Sequence, residues 1–410
     1  MPHYVKNQNF STCKTLLYCA AISSCCMGQS HADDTKDWLP ESVQIHGFLS
    51  QGFIHTSDNN FFGHSDDSIS TDFRELGING SWSLFPNLQV AMQVVWRNAG
   101  KTDNSGLRID YGLASYNIYS SENSLLTLRA GRVPTPLGFY NDTRDVASTR
   151  PSILLPQSIY FDVNRNLALS ADGGYLYGEH RTDYGDFSLN FGLIVPRMDD
   201  PDFKNVIVGP DPGRMEGDTS WIARVGYEWQ SGLVRLAITY ADFQGDYKPS
   251  LESQVLPGTW QFNPLILSAQ YNAENWSITG EYALRRAKLQ DFGFPPDDAF
   301  TGQSFYVQGT YRFTESLEGI VRYDDLIWDL DDRKGNKFSE NLSQFNIEIP
   351  NYSRFAQDWT FGLRYEILPS LMLSGEYHHV NGTGWLSALE NPQGTTQHWD
   401  MYLMMISYSF

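Results

Sequence analysis

The chain has 410 residues, with 48 Asp and Glu against 29 Lys and Arg, and 14 % aromatics. That acidic balance argues against a nucleic-acid partner, because phosphate binding needs a basic surface. No stretch of the body approaches the roughly 18 consecutive apolar residues of a membrane helix, which does not exclude a membrane barrel, where only alternate residues meet lipid.

Lys6 and Lys14 are the only charges before Asp33, and Leu16-Leu17-Tyr18-Cys19-Ala20-Ala21-Ile22 follows them. Ser30-His31-Ala32 has the small-x-small form of a cleavage site. This layout predicts a cleaved signal peptide over 1–32 and a mature chain of 33–410. The apolar core is too short for a spanning anchor. Cys13, Cys19, Cys25 and Cys26 all fall in this segment, so the mature chain does not rely on disulfides. Ile22-Ser23-Ser24-Cys25 resembles a lipoprotein processing box, an alternative that would leave Cys25 lipidated.

From residue 42 onward, segments of alternating apolar and polar residues are separated by turn residues. Period two means β-strand. Sixteen strands are predicted, near 42–54, 69–83, 87–98, 106–119, 123–133, 166–180, 186–196, 219–230, 232–242, 260–272, 275–288, 301–314, 316–329, 355–367, 370–381 and 397–410. In Trp359-Thr360-Phe361-Gly362-Leu363-Arg364-Tyr365 the aromatics and Leu363 share one face, and Thr360, Gly362 and Arg364 the other. Trp221, Tyr227 and Trp229 bracket Ala223 and Val225 in the same way. Aromatics bordering an apolar band suit the two interfaces of a membrane. No helix of three turns is predicted, nor any linker that divides the body.

The connections alternate in length. Short ones join residues such as Gln230–Gly232 and Thr314–Ser316; long ones cover 55–68, 97–106, 134–165, 197–218, 243–259, 289–300, 330–354 and 382–396. Short turns on one side, long loops on the other and an even strand count predict an all-β, antiparallel, up-and-down transmembrane barrel with no exposed sheet edge. In the last strand Tyr402, Met404, Ile406, Tyr408 and Phe410 lie on one face.

That strand resembles the targeting strand of outer-membrane barrels, which ends in Phe and is read by the barrel-assembly machinery; the resemblance makes Phe410 the assembly signal. With its strand count, the chain over 40–410 resembles the Gram-negative porin superfamily, especially the sixteen-stranded porins, by architecture more than by sequence. Gly131-Arg132-Val133-Pro134-Thr135-Pro136-Leu137-Gly138 looks like the Gly-Arg…Pro-Leu-Gly stretch that ends a strand in porin-like proteins. The resemblance implies that the third long loop, 134–165, folds into the barrel and narrows it. It also implies passive diffusion of small hydrophilic solutes or ions, without a cofactor. Outer-membrane lipid and lipopolysaccharide are the implied surroundings, and a homotrimer the implied assembly. The Pro-Glu-Phe-Gly-Gly run usual in that loop of enteric porins is absent here, which leaves the constriction residues open.

If the apolar face is outside, the opposite parity lines the lumen. It carries Arg97, Arg108, Arg129, Arg224, Arg235, Arg285, Arg312, Arg322 and Arg364, together with Asp110, Asp172, Glu228, Glu281, Glu318, Asp324 and Glu376. The expected constriction sets Asp142, Asp145 and Asp162 of the loop against Arg224, Arg235, Arg285, Arg312, Arg322 and Arg364, with Arg129 near its base. Rows of opposite charge would place a field across the passage. By the same parity Gly362 faces water and Leu363 faces lipid. No metal site is predicted. His378-His379 is the only adjacent histidine pair, and neighbouring strand residues point to opposite faces, so no catalytic set is predicted. The alternatives are a substrate-specific channel, a fatty-acid-type channel with an apolar lumen, and a closed structural or adhesive barrel.

Overall fold

The computed structural model describes residues 40–410 apart from 199 and 294–297. The predicted signal segment lies outside the described residues. Sixteen strands form one closed sheet: β1 (Val43–Thr56), β2 (Arg74–Phe85), β3 (Leu88–Ala99), β4 (Asp103–Ser120), β5 (Ser124–Pro134), β6 (Ser170–Thr182), β7 (Gly185–Pro196), β8 (Gly213–Trp229), β9 (Val234–Pro249), β10 (Thr259–Asn272), β11 (Trp276–Gln290), β12 (Asp298–Arg312), β13 (Leu317–Ile327), β14 (Phe355–Leu368), β15 (Leu371–Gly382) and β16 (His398–Ser409). Each pairs antiparallel with its neighbours in the chain, and β16 closes on β1. Among the described residues, three short α-helices sit in the connections: α1 (Arg165–Leu169), α2 (Pro201–Val208) and α3 (Asn336–Ser343).

The seam shows why an aromatic ends the last strand. Gly47 and Phe410 exchange both backbone hydrogen bonds at 3.0 Å. The Phe410 ring fills the space that a side chain on Gly47 would occupy. The pair leaves no free edge where the sheet closes.

Register makes the faces explicit. Leu363 is paired with Gly319, and Phe361 with Val321 and Tyr377. All these side chains share the exposed outer face with Leu189, Val225, Ile238, Leu267, Val307, Met404 and Ile406. Aromatic pairs border the band at both ends. Phe187–Tyr227, Tyr271–Trp276 and Tyr311–Phe313 lie toward the short turns, with ring centroids 5.0, 5.4 and 5.1 Å apart. Trp221–Tyr240, Tyr323–Trp359 and Tyr377–Tyr402 lie toward the long loops, at 5.3, 4.9 and 5.2 Å. An apolar band between two aromatic girdles on a closed sheet is the outer surface of a membrane-spanning barrel.

Three details differ from the sequence reading. The connection expected over 97–106 shrinks to 100–102, because β3 and β4 stay paired as far as Ala99 and Asp103. β8 and β9 likewise pair out to Gly213 and Pro249. Beyond the band the outward residues become polar (Asp242, Gln244, Asp246, Lys248), so the alternation disappears while the backbone ladder continues. Finally, Asp172 faces outward: it lies opposite Arg132 in the ladder, four residues from the outward pair Leu128–Leu176 and so on the same face. Its carboxylate binds Arg132 Nε at 2.7 Å on the exposed surface.

Candidate functional site: the lumen and its inward loop

The third long loop, 135–169, leaves β5 at Pro134 and returns at Ser170, and Thr135 N–H donates to Leu169 O at 3.0 Å. Asn141 staples both ends, its Nδ2 donating to Thr135 O at 2.8 Å and Ala168 O at 2.6 Å. The loop turns inward because that is where its apolar side chains find cover. Leu137, Leu155, Ile159 and Tyr160 join Ile222, Ala241, Ile266, Ala283 and Tyr306 from the wall of β8–β12 in one buried cluster. Ile153, Leu154 and Phe161 join Ile54, Leu326, Val380, Met401, Leu403 and Met405 from β13–β16 and β1 in another. Every residue from 152 to 162 is buried.

Wall carboxylates grip the loop through its N–H groups and a phenol. Glu281 accepts from Phe139 N at 3.0 Å and from the hydroxyls of Tyr160 and Tyr306. Glu376 accepts from Ile153 N and Leu154 N, and Asp324 from Ser158 N at 3.2 Å. Burial and the Glu281 carboxylate push the Tyr160 phenol far above its ordinary range, so it remains a donor.

The three loop acids divide between two places, Asp142 alone in one and Asp145 and Asp162 in the other. Asp142 is partly exposed and binds Arg224 Nη2 at 2.7 Å; Arg224 also donates to Gly138 O at 2.8 Å. Asp145 meets Arg165 of its own loop. Asp162 binds Arg97 Nη2 at 3.1 Å, with Arg144 and Arg165 each at 3.5 Å. On the same side Glu75 binds Arg97 at 3.1 Å and Arg150 at 3.0 Å. This buried network lies on β2 and β3 rather than on the wall of β8–β14. Its loop arginines, Arg144, Arg150 and Arg165, went unused in the sequence reading. The signal was the loop's own composition: three Arg match its three Asp, so most of its charge can be neutralised internally.

The wall arginines also divide. Arg235 binds Glu228 and Gln270, both at 2.9 Å, and lies 5.1 Å over the Phe139 ring. Arg322 is buried and donates to Ser152 Oγ at 2.9 Å and Thr360 Oγ1 at 3.1 Å. Arg364 donates to Arg150 O and Ser148 O, both at 3.0 Å. Arg285 is buried between the Phe161 and Trp328 rings, 5.2 and 5.6 Å from their centroids, and donates to Ile327 O at 2.9 Å. Arg129 stacks on Tyr177, 4.9 Å from the ring centroid. Arg312 is exposed at the short-turn end of β12, away from the loop's contacts. Gly362 faces inward, but a side chain there would meet Ile320 and Glu376 beneath the loop.

Toward the long-loop end the connections interlock. Asn59 Nδ2 donates to Thr396 O at 2.8 Å, and Asn60 N to Asn391 Oδ1 at 2.8 Å. Ser387 Oγ donates to Asp202 of α2 at 2.8 Å, and Asp200 accepts from Asn166 N at 2.7 Å. Burial, with Glu390 nearby, raises Asp202 to about 6. His378 is buried against Asp358 (2.8 Å) and Glu376 (3.3 Å), while His379 points outward to Asp400 at 2.8 Å. Of the charged lumen groups left partly open to solvent, Asp142, Arg224, Arg235 and Glu228 gather near the root of the loop, while Arg312 and Arg364 lie open elsewhere on the wall.

No family model and no curated relative matches the chain. Solved structures do. OmpT of Vibrio cholerae superposes with a TM-score of 0.57 at 10 % identity, covering 91 % of this chain and 99 % of its own. The anion-selective porin of Comamonas acidovorans gives 0.54 at 14 %, covering 90 % and 99 %. The outer-membrane channel DcaP of Acinetobacter baumannii gives 0.53 at 12 %, covering 90 % and 97 %. At such identities the likeness is one of fold. By fold, then, the chain is a sixteen-stranded porin-like barrel of the outer-membrane type.

Proposed function

We propose that the chain is an outer-membrane porin, exported by a cleaved segment 1–32 and assembled through its last strand with Phe410 as the signal. The short turns face the periplasm and the long loops the exterior. Small hydrophilic solutes or ions cross by passive diffusion, without cofactor or energy input. One observation carries the reading: a loop folded into a closed barrel whose remaining open lumen is charged, at Asp142, Arg224, Arg235 and Glu228. Such groups are tolerated inside a membrane barrel where water solvates them, and they disfavour a fatty-acid-type channel, which needs an apolar lumen. The outward Arg132–Asp172 pair supports a homotrimer, because a second copy would cover it where lipid otherwise would. Phosphorylated outer-leaflet lipid such as lipopolysaccharide surrounds the assembly.

Planar-bilayer recording of the purified protein tests this. Ohmic channels that open further when loop residues 144–162 are shortened are expected. A bilayer that stays silent with both proteins overturns the reading. The buried loop apex and the interlocked outer loops favour one second reading, a barrel closed in this conformation; silence of the full chain with conductance of the shortened one would select it.

A further inference from the structure

We infer that His378 is a positioning residue for the inward loop: as a doubly protonated imidazolium it braces Glu376, the wall carboxylate that holds the loop apex. The inference rests on the channel reading above, because it gives this side chain control over how far the loop narrows the passage. His378 projects inward from β15 and is buried, opposite Thr360 of β14 and Met401 of β16 in the ladder. Its Nδ1 lies 2.8 Å from Asp358 Oδ2, and its Nε2 lies 3.3 Å from Glu376 Oε2. An ionised carboxylate only accepts, so each contact needs a proton on the ring nitrogen. A neutral imidazole carries one N–H and the imidazolium carries two. With both acids ionised, only the imidazolium satisfies both contacts.

The charges packed around the ring point the same way. On the neighbouring rungs Asp324, Asp358 and Glu376 stand beside Arg322; Met401 on β16 is uncharged. Thr360 Oγ1 lies 3.1 Å from Nδ1 and accepts from Arg322 Nη2 at 3.1 Å. Arg150 of the loop and Arg364 of β14 are bound elsewhere, to Glu75 and to loop carbonyls. A charged His378 therefore supplies the second cation that these buried carboxylates need. Glu376 is the link to the loop. It accepts from Ile153 N, and from Leu154 N at 3.4 Å through Oε2, the same oxygen that His378 meets. Removing one ring proton sets a nitrogen lone pair against a carboxylate in a site of low dielectric. The brace then fails, and the apex loses its hold on β15.

NMR of the purified full-length chain in detergent, with ring-nitrogen-labelled histidine, tests the brace directly. The His378 signal is assigned by its absence from His378→Gln and His378→Lys, and the imidazolium signature is expected at neutral pH. A neutral-ring signature overturns the inference. Backbone hydrogen exchange of 152–155 should quicken about tenfold or more in His378→Gln, the scale of a lost charge-assisted bond. His378→Lys, which keeps a cation, should restore part of the protection. In planar bilayers, alkaline solution should raise the conductance of the parent. His378→Gln should be raised already at neutral pH, and His378→Lys should stay low in both. His379→Gln, one residue away on the outward face, should match the parent throughout. Unchanged exchange in His378→Gln, or an equal change in His379→Gln, overturns the positioning role; the alkaline profile of the parent decides it without any substitution at the site. Silent bilayers with the expected signature and exchange would leave the brace standing and remove the channel reading. Conducting channels with a neutral ring would do the reverse.

Discussion

The lumen has two unlike halves. Where the inward loop lies on β11–β16 and β1–β3, inward charges are buried: Glu75, Arg97, Arg322, Asp324 and His378 each have relative exposures of 1–2 %. At the root of the loop, on β5, β8 and β9, Arg224 and Asp142 stay partly open. Strand alternation supplies the same inward polar residues to both halves. The difference comes from the loop, whose apolar apex dries one side. A polar group on the lumen face is thus a structural strut or a pore group according to what covers it.

The comparison can be broken by substitution. The largest effect is expected for Glu75→Ala, which takes the buried carboxylate from Arg150 and one of three from Arg97 and should cost about 3–5 kcal/mol. Urea titration of the barrel in lipid vesicles measures it. The matching change on the open side, Glu228→Ala, removes a pair that is 36 % and 45 % exposed and should cost at most about 1 kcal/mol. Equal losses would abolish the distinction.

Next comes the face of the sheet. Leu363→Arg puts charge against hydrocarbon and should cost roughly 2–4 kcal/mol near the midplane. Gly362, one residue away, was expected to accept Arg as a water-facing position, but Ile320 and Glu376 fill its space. Gly362→Arg should therefore also fold poorly, for want of room. Thr310, inward and only partly buried on β12, is the better control, and Thr310→Arg should fold nearly as well as the parent. If Thr310→Arg matched Leu363→Arg in damage, the face assignment would fail.

A smaller effect is expected from Arg224→Ala, which should leave stability within about 1 kcal/mol while shifting reversal potentials toward cations. The buried Arg322→Ala should do the opposite: lower stability and leave selectivity alone. A larger selectivity change from Arg322 than from Arg224 would contradict the division.

The smallest concerns the outer loops. Asp202 is raised to about 6, first by burial and then by Glu390. The folded state thus holds its proton more tightly than the unfolded chain, whose Asp titrates near 4. Its contribution is full below that value and is lost as pH rises through about 6. Backbone hydrogen exchange of 383–397 should accordingly quicken between pH 5 and pH 7.5, and Asp202→Asn should flatten the change. Equal pH dependence in the variant would assign it elsewhere.

Alternation alone makes the barrel legible. Sixteen strands, their order, and the outward side of Leu363 or Met404 follow from a period of two, since only that period suits a sheet with lipid on one face and water on the other. Asp172 shows where parity needs register: its outward side follows from pairing with Arg132 across the ladder. The ends of β3, β4, β8 and β9 were hidden because, beyond the hydrocarbon, backbone pairing persists without an apolar face to mark it. What the sequence by itself determined is the closed sheet and its two faces, a property of neighbouring residues. Only the tertiary structure decided the fate of the lumen charges. Asp142 and Asp162 are twenty residues apart in one loop, yet one faces Arg224 and solvent and the other is sealed against Arg97. That outcome depends on how the loop's apolar side chains pack across the barrel, among residues far apart in the chain.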